Sequence, residues 1–331
     1  MGWGRIPAPS HRHPRRPPMS PLAVIAVGGN ALIHDERHKT VHDQYLAAVE
    51  GMRHVGELIE AGWDVVITHG NGPQVGYILR RSELSRHELH EVPLDSCGAD
   101  TQGAIGYMFQ KALGNELRHR GIVRQAVTVV TQVLVDLNDP AFRKPSKPIG
   151  SFMSEADARV KMANDGWTMV EDAGRGWRRV VASPRPVRII ERDAIQALID
   201  EGFVVIAVGG GGIPVMETAQ GDLVGVEAVI DKDFGGALIS SSLPTDVFLI
   251  ATAVEKVAIN FNKPNQKWLD AVTVAEAKQY LSEGHFAPGS MKPKIEAAID
   301  FVERAGKPAI ITSLENLSRA VRGETGTRIV P

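Results

Sequence analysis

Apolar residues fall along this chain in short solid runs that alternate with helical stripes. Leu22–Val27 is a solid run ended by Gly28-Gly29-Asn30. A run of that length before turn residues predicts a buried strand and a tight loop. Val41 to Ala61 carries apolar residues at helical spacing and stops at Gly62, a C-cap signal. Trp63 to Thr68 predicts a second strand, closed by His69-Gly70-Asn71-Gly72-Pro73. Thr101 to Arg120 predicts a helix ended by Gly121, and the β-branched stretch Ala126 to Val135 predicts one further strand.

The rhythm breaks between about Asn138 and Pro186. Prolines, Trp167, Trp177 and the turn Glu171-Asp172-Ala173-Gly174-Arg175-Gly176 follow no clear period. A structureless loop of that length is unusual in a compact domain, so an inserted subdomain is expected. Alternation then resumes. A helix from Glu191 to Glu201 leads to a strand from Phe203 to Val208 and the loop Gly209-Gly210-Gly211-Gly212. Val247 to Ala251 and Ala309 to Thr312 read as strands. Thr273-Val274-Ala275-Glu276 reads as a capping box opening a helix, and Ser290 to Arg304 as another helix. Strands alternating with helices predict an α/β layered fold with a mainly parallel sheet.

Composition narrows the class. The chain has 331 residues, 43% hydrophobic, enough for one large α/β domain or two lobes. Its net charge of −2, spread through the body, gives no electrostatic reason to bind nucleic acid or an anionic membrane. No apolar run approaches the ~20 residues of a membrane helix. Cys97 is the one cysteine, so no intrachain disulfide can form, and a reducing cytoplasm fits. Residues 1–20 differ: five prolines with Arg12, Arg15, Arg16, His11 and His13, and no apolar segment of a signal peptide. They read as a disordered basic extension; contact with nucleic acid is the other use of such a tail. Folded-protein patterning starts at Met19, which raises a second candidate for the translation start.

Three strands end in glycine-rich loops: Gly28-Gly29-Asn30, Gly70-Asn71-Gly72 and Gly209 to Gly212. Each alone is explained by a tight turn. Together, each directly after a buried strand, they point to an anion site, because glycine lets backbone N–H groups approach an anion. No G-x-x-x-x-G-K-[ST] is present, and Gly209 to Pro214 lacks the third glycine of a dinucleotide fingerprint. Asp233-Phe234-Gly235 spells a protein-kinase motif without its H-R-D partner.

These loops resemble the GGN, HGNG and GGGG segments of carbamate kinases, in the amino acid kinase family. So do Pro93-Leu94-Asp95-Ser96-Cys97, Thr101-Gln102-Gly103-Ala104-Ile105-Gly106-Tyr107 and Ser146-Lys147-Pro148-Ile149-Gly150. The segments from Asp172 to Arg178, Gly225 to Asp233 and His285 to Met291 extend the similarity from about Ala23 to Val330. The resemblance implies an αβα sandwich in two lobes. Residues 21–224 would form a carbamate- and phosphoryl-binding lobe that includes a protruding subdomain at about 138–186, and residues 225–331 a nucleotide-binding lobe. It also implies reversible phosphoryl transfer between carbamoyl phosphate and ADP, Mg²⁺ with the ATP or ADP, and a cytoplasmic homodimer in arginine and carbamoyl phosphate metabolism.

The implied catalytic residues are Lys147, Lys232, Asp233 and Lys294. Gly28, Gly29, Asn30, Gly70, Asn71, Gly72, Gly209, Gly210 and Gly211 would bind substrate or phosphoryl oxygens. Asp231, Lys232, Ala287, Met291 and Lys294 would bind the nucleotide. No protein metal ligand is expected. A solvated surface residue is the ordinary reading of any single lysine, and Asn30 or Asn71 is equally explained by a left-handed turn. Cys97 reads as a packed small residue and His69 as a holder of its loop. Related kinases often carry K-x-G-G; here Ala26 takes the lysine's place, so Lys147 is the expected source of that cation. Arg143-Lys144 stands where the family often has a lysine–asparagine pair, adding charge to the subdomain. Another kinase of this fold acting on a small carboxylate, or a catalytically silent nucleotide sensor, are the competing functions.

Overall fold

The structure is a computed structural model, and it describes residues 20–29, 32–33, 37–172 and 174–331. The expectations for the basic tail, except at Ser20, and for Asn30 fall outside the described residues, as does Ala173 of the turn at 171–176.

An eight-stranded sheet forms the frame. Its order is Ala271–Thr273, Thr327–Val330, Ala309–Ser313, Val247–Thr252, Leu22–Val27, Asp64–His69, Val204–Ile206 and Ala126–Thr128. Every neighbouring pair is parallel except Ala309–Ser313 with Thr327–Val330. Leu22–Val27 pairs with Asp64–His69 on one side and Val247–Thr252 on the other, so one sheet runs continuously between the halves before and after residue 224.

The solid apolar run of Leu22–Val27 follows from that central position. Leu22, Val24 and Ala26 point into one core, with Ile195, Ile239, Ile299 and Phe301 from helices Arg192–Asp200, Lys232–Ser242 and Met291–Ala305. Ala23, Ile25 and Val27 point into the other, with Val55, Phe109 and Leu113 from helices Val41–Glu60 and Leu94–His119. Strands covered on both faces need apolar residues at every position, and period two then only sorts them between the layers. The result is an αβα sandwich with its core on both sides of the sheet.

Two element expectations need correction. Ala126 to Val135 is not one strand. It breaks into Ala126–Thr128, in the main sheet, and Gln132–Val135, in a second sheet of four strands. The break is held at Thr131, whose hydroxyl donates to the Val129 carbonyl at 2.7 Å and accepts from the Val208 amide at 3.0 Å. The helix expected from Thr101 begins two turns earlier, at Leu94. A helix at Gly72–Ser85 had no counterpart in the reading. The capping box is present: Thr273 and Glu276 bond reciprocally, at 3.2 and 2.7 Å.

The irregular stretch folds as an antiparallel three-stranded sheet, Lys147–Met153, Trp177–Val181 and Thr168–Glu171, with helix Glu155–Asp165. It rests on helix Gly72–Ser85, where a Cβ added to Gly76 would come 3.6 Å from the Gly150 Cα. Among the described residues, no helix is long and apolar enough to cross a membrane.

Candidate active site

A cavity of about 740 Å³ opens over the C-terminal ends of the central strands. Its floor holds Gly28 and Gly29, Gly70 to Gly72, and Gly210, so each of the three glycine loops contributes. The loops pack against each other at distances only glycine tolerates. Gly210 has φ +69°, and a Cβ there would lie 2.1 Å from the Asn71 amide nitrogen. Gly235, in the first turn of helix Lys232–Ser242, lets that helix meet the third loop: a Cβ would sit 2.7 Å from the Gly211 Cα.

Three lysines enter the cavity from three elements. Lys232 comes from the start of helix Lys232–Ser242, Lys294 from the first turn of helix Met291–Ala305, and Lys147 from the first strand of the protruding sheet. Asp233 joins two of them. Its Oδ1 accepts from Lys232 Nζ at 2.6 Å and its Oδ2 from Lys294 Nζ at 2.9 Å. Asp231 takes the third: Oδ2 accepts from Lys147 Nζ at 2.6 Å, while Oδ1 caps the helix by accepting from the Asp233 amide at 2.9 Å.

Three ammonium groups against two carboxylates leave one net positive charge at a partly dry wall. Burial would raise the Asp233 pKa, but Lys232 and Lys294 outweigh it and hold the carboxyl at about 2. Burial opposes the charge on both lysines as well. At Lys232 the neighbouring carboxylates of Asp233 and Asp231 prevail and raise the pKa; at Lys294 burial and the Lys232 charge lower it. The wall is suited to an anion that brings more negative charge than Asp231 and Asp233 supply.

The remaining expected residues are placed as follows. Gly209 and Gly211 are buried beside Gly210 and do not line the cavity. Ala287 is exposed in the preceding loop, where its carbonyl accepts from the Ser290 and Lys292 amides, and Met291 packs half-buried against the core. Neither lines the cavity. Arg143 and Lys144 are exposed and also away from it. His69 is buried; Nδ1 donates to the Gly70 carbonyl at 3.1 Å, and burial lowers its pKa to about 4 despite that bond. It is a neutral loop support. Cys97 is buried, and burial together with Asp100, Glu227 and Asp95 pushes its thiol up to about 11, so it is no nucleophile at neutral pH.

The sequence reading missed the layer beneath the loops. Thr68, Thr101, Gln102 and Thr131 are buried and tie the loops by side-chain hydrogen bonds. Thr101 and Gln102 lie in the family-like segment Thr101 to Tyr107, but nothing in its spacing marks their hydrogen-bonding role. Arg53, His54 and Glu315 on the far wall carried no local signal at all.

The sequence pattern of the amino acid kinase family matches residues 21–313. Over 315 residues the chain is 52% identical to the carbamate kinase-like protein YahI of Escherichia coli K12, covering 94% of this chain and 99% of that one. It is 49% identical over 310 residues to a carbamate kinase of Thermococcus kodakarensis, covering 93% and 98%. Among solved structures, a carbamate kinase from Giardia lamblia bound to AMP-PNP superposes with a TM-score of 0.89 at 42% identity, covering 94% of this chain and 98% of that one. The chain belongs to the amino acid kinase family.

Proposed function

We propose that this amino acid kinase family member is a carbamate kinase, moving a phosphoryl group between carbamoyl phosphate and ADP to give carbamate and ATP. The observation that carries the reading is the convergence of Lys147, Lys232 and Lys294 on a cavity floored by three glycine loops. Phosphoryl transfer asks for in-line positioning and neutralised charge more than for covalent chemistry.

In the ATP-forming direction a β-phosphate oxygen of ADP attacks phosphorus, and the bond from phosphorus to the carbamate oxygen breaks. Carbamate leaves as an anion, and in reverse attacks as one, so neither direction needs a side-chain acid or base. The site fits that need: His69 is neutral and its Nδ1 proton is spent on the Gly70 carbonyl. The loops Gly28-Gly29 and Gly70 to Gly72, with Gly210, are assigned to the carbamoyl and phosphoryl oxygens. Lys294 and Lys232, at helix starts where backbone N–H groups add positive potential, are assigned to the nucleotide phosphates and the group in transit. Lys147 reaches that group from the protruding sheet and supplies the cation that Ala26 cannot.

An adenine nucleotide with Mg²⁺ completes the reading; the Giardia relative's AMP-PNP supports the nucleotide. Asp231 and Asp233 are both engaged by ammonium groups. Mg²⁺ keeps several waters and binds largely through nucleotide phosphates, so phosphate oxygens and water are assigned most of its coordination. A cytoplasmic homodimer working in arginine and carbamoyl phosphate metabolism belongs to the same proposal, supported by the family likeness.

The test is ATP formation from carbamoyl phosphate and ADP with Mg²⁺, read by a coupled assay. ATP should form, and acetylglutamate should not be phosphorylated. Folded protein that makes no ATP would sink the reading.

A further inference from the structure

Helix Leu94–His119 reaches two of the glycine loops through adjacent side chains. The Thr101 hydroxyl accepts from Asn71 Nδ2 at 2.8 Å. Gln102, only 1% exposed, reaches the third loop. Its Nε2 donates to the Gly209 carbonyl at 2.9 Å and to the Thr131 carbonyl at 3.2 Å, and its Oε1 accepts from the Thr131 amide at 2.7 Å. Thr131 in turn accepts from the Val208 amide at 3.0 Å, one residue before that loop. Gln102 is thus held on both ends of its amide, and its orientation is fixed by the Thr131 N–H, which must meet an oxygen.

What this controls is a peptide plane. In a trans peptide the C=O and the following N–H point in opposite directions. Gln102 holds the Gly209 carbonyl toward helix Leu94–His119, so the Gly210 N–H points away from that helix. Gly210 is the residue of this loop that lines the cavity, and among the described residues its N–H donates to no backbone carbonyl. Glycine at 209 to 212 leaves the loop little intrinsic stiffness, since Gly210, Gly211 and Gly212 all adopt positive φ. Within the loop the Gly212 N–H donates to the same Gly209 carbonyl at 3.1 Å and the Gly211 N–H to the Val208 carbonyl at 3.0 Å, so Gln102 is the donor from outside the turn that ties this peptide plane to helix Leu94–His119.

We propose that Gln102 is a positioning residue: it orients the Gly209–Gly210 peptide so that the Gly210 N–H meets an oxygen of the group being transferred. This rests on the phosphoryl-transfer reading above. Gln102 itself touches no substrate. Its loss should misdirect a donor that matters most in the transition state, and leave the nucleotide site on the other half intact.

The test compares wild type with Gln102→Met, which keeps length and loses all three hydrogen bonds, and Gln102→Glu, which keeps an acceptor for the Thr131 amide but no donor for Gly209. Both should lower kcat by ~10- to 10²-fold, the scale of a misplaced or missing preorganised donor. The ADP dissociation constant should stay within about twofold of wild type, and calorimetric ADP stoichiometry should show a full complement of sites. Combining Gln102→Met with Asn71→Ala should cost less than the product of the single losses, because both act on Gly210. An active wild type beside a Gln102→Met enzyme within about threefold of its kcat would overturn the inference alone. So would a loss of ADP sites or affinity in step with kcat, or failure of both variants to fold, since Gln102 would then be holding the fold and not aiming a donor. A wild type that makes no ATP would instead remove the phosphoryl-transfer reading, and this inference with it.

Discussion

Lys147 and Asp231, 84 residues apart, meet at 2.6 Å across the gap between the protruding sheet and the start of helix Lys232–Ser242. The carboxylate holds the ammonium where an anionic phosphoryl group would otherwise draw it. The same carboxylate caps the helix through its other oxygen, so it stays in place when the lysine leaves. The pair is partly exposed, 34% at Lys147 and 16% at Asp231. Exposed pairs contribute ~1 kcal/mol or less. Lys147→Ala should therefore leave the melting temperature nearly unchanged and lower kcat by at least ~10²-fold, the usual effect of removing one charge-stabilising donor. ADP affinity by calorimetry should be preserved, because Lys147 approaches from the subdomain. Near-normal turnover would show that the subdomain does not replace the lysine missing at Ala26.

Asp233 is the opposite case. It is 3% exposed and bridges two ammonium groups at once. Asp233→Asn would leave those groups facing each other with only Asp231, itself paired to Lys147, as a nearby carboxylate. Breaking a buried ion cluster in this way costs about 3–5 kcal/mol. Thermal melts should show that loss, and ADP with Mg²⁺ should raise the melting temperature more in the variant than in wild type, since phosphate replaces the missing charge. Equal ligand shifts in the two proteins would contradict the placement of the phosphates beside Lys232 and Lys294.

His69 gives the protein an acid-side liability. Its pKa is lowered by burial to about 4, against 6.5 in the unfolded chain. The unfolded state therefore binds the proton first as pH falls. Stability is full above about 6.5 and declines below it at about 1.4 kcal/mol per pH unit, until the folded state also protonates near 4. Asp233 adds nothing in that window, because its stabilising charge is lost only as pH falls below 3.8 through about 2. Urea melts between pH 7 and 4.5 should show the decline, and His69→Gln should flatten it. A wild-type slope no steeper than that of His69→Gln would refute the assignment.

The parts legible in the sequence were those fixed by local pattern or by ordered motifs. Leu22–Val27 was readable because a central strand is apolar at every position. Helix Gly72–Ser85 was not, because it opens with Gly-Pro and fully buries only Val75 and Ser82, so it leaves almost no apolar stripe. The break at Val129–Thr131 was hidden for a different reason: Thr131 is β-branched and looks like strand, while the partner that makes it a corner, Val208, is 77 residues away. The lysines were found through motif likeness, but their pairing with Asp231 and Asp233 needed the fold. Gln102 sat in plain view within its motif, and no spacing rule could say that it would reach Gly209, 107 residues on.

The glycines of the site should separate when each gains a methyl group. Gly70 lacks a positive φ, so alanine fits its backbone, yet the new Cβ would lie 2.9 Å from Lys232 Cδ and 3.4 Å from Cε. A lysine stem can yield, so Gly70→Ala should fold with a stability change of roughly 1 kcal/mol. Yielding moves the ammonium, however, and a shift near 1 Å at a reacting centre costs up to ~10²-fold in rate. Gly210→Ala has no such escape. Its φ of +69° strains any side chain, and the methyl would stand 2.1 to 2.7 Å from atoms of the Asn71 amide, which is itself tied to Thr101. It should lose stability and activity together. Gly103→Ala is the reference: it is exposed in helix Leu94–His119 with nothing within 4 Å of the added Cβ. It should gain ~0.5–1 kcal/mol from helix propensity and keep its turnover. Melts and steady-state rates on the three proteins decide the matter. Gly70→Ala with full activity would mean that the position of Lys232 does not limit the reaction, and the role given to that lysine would fail.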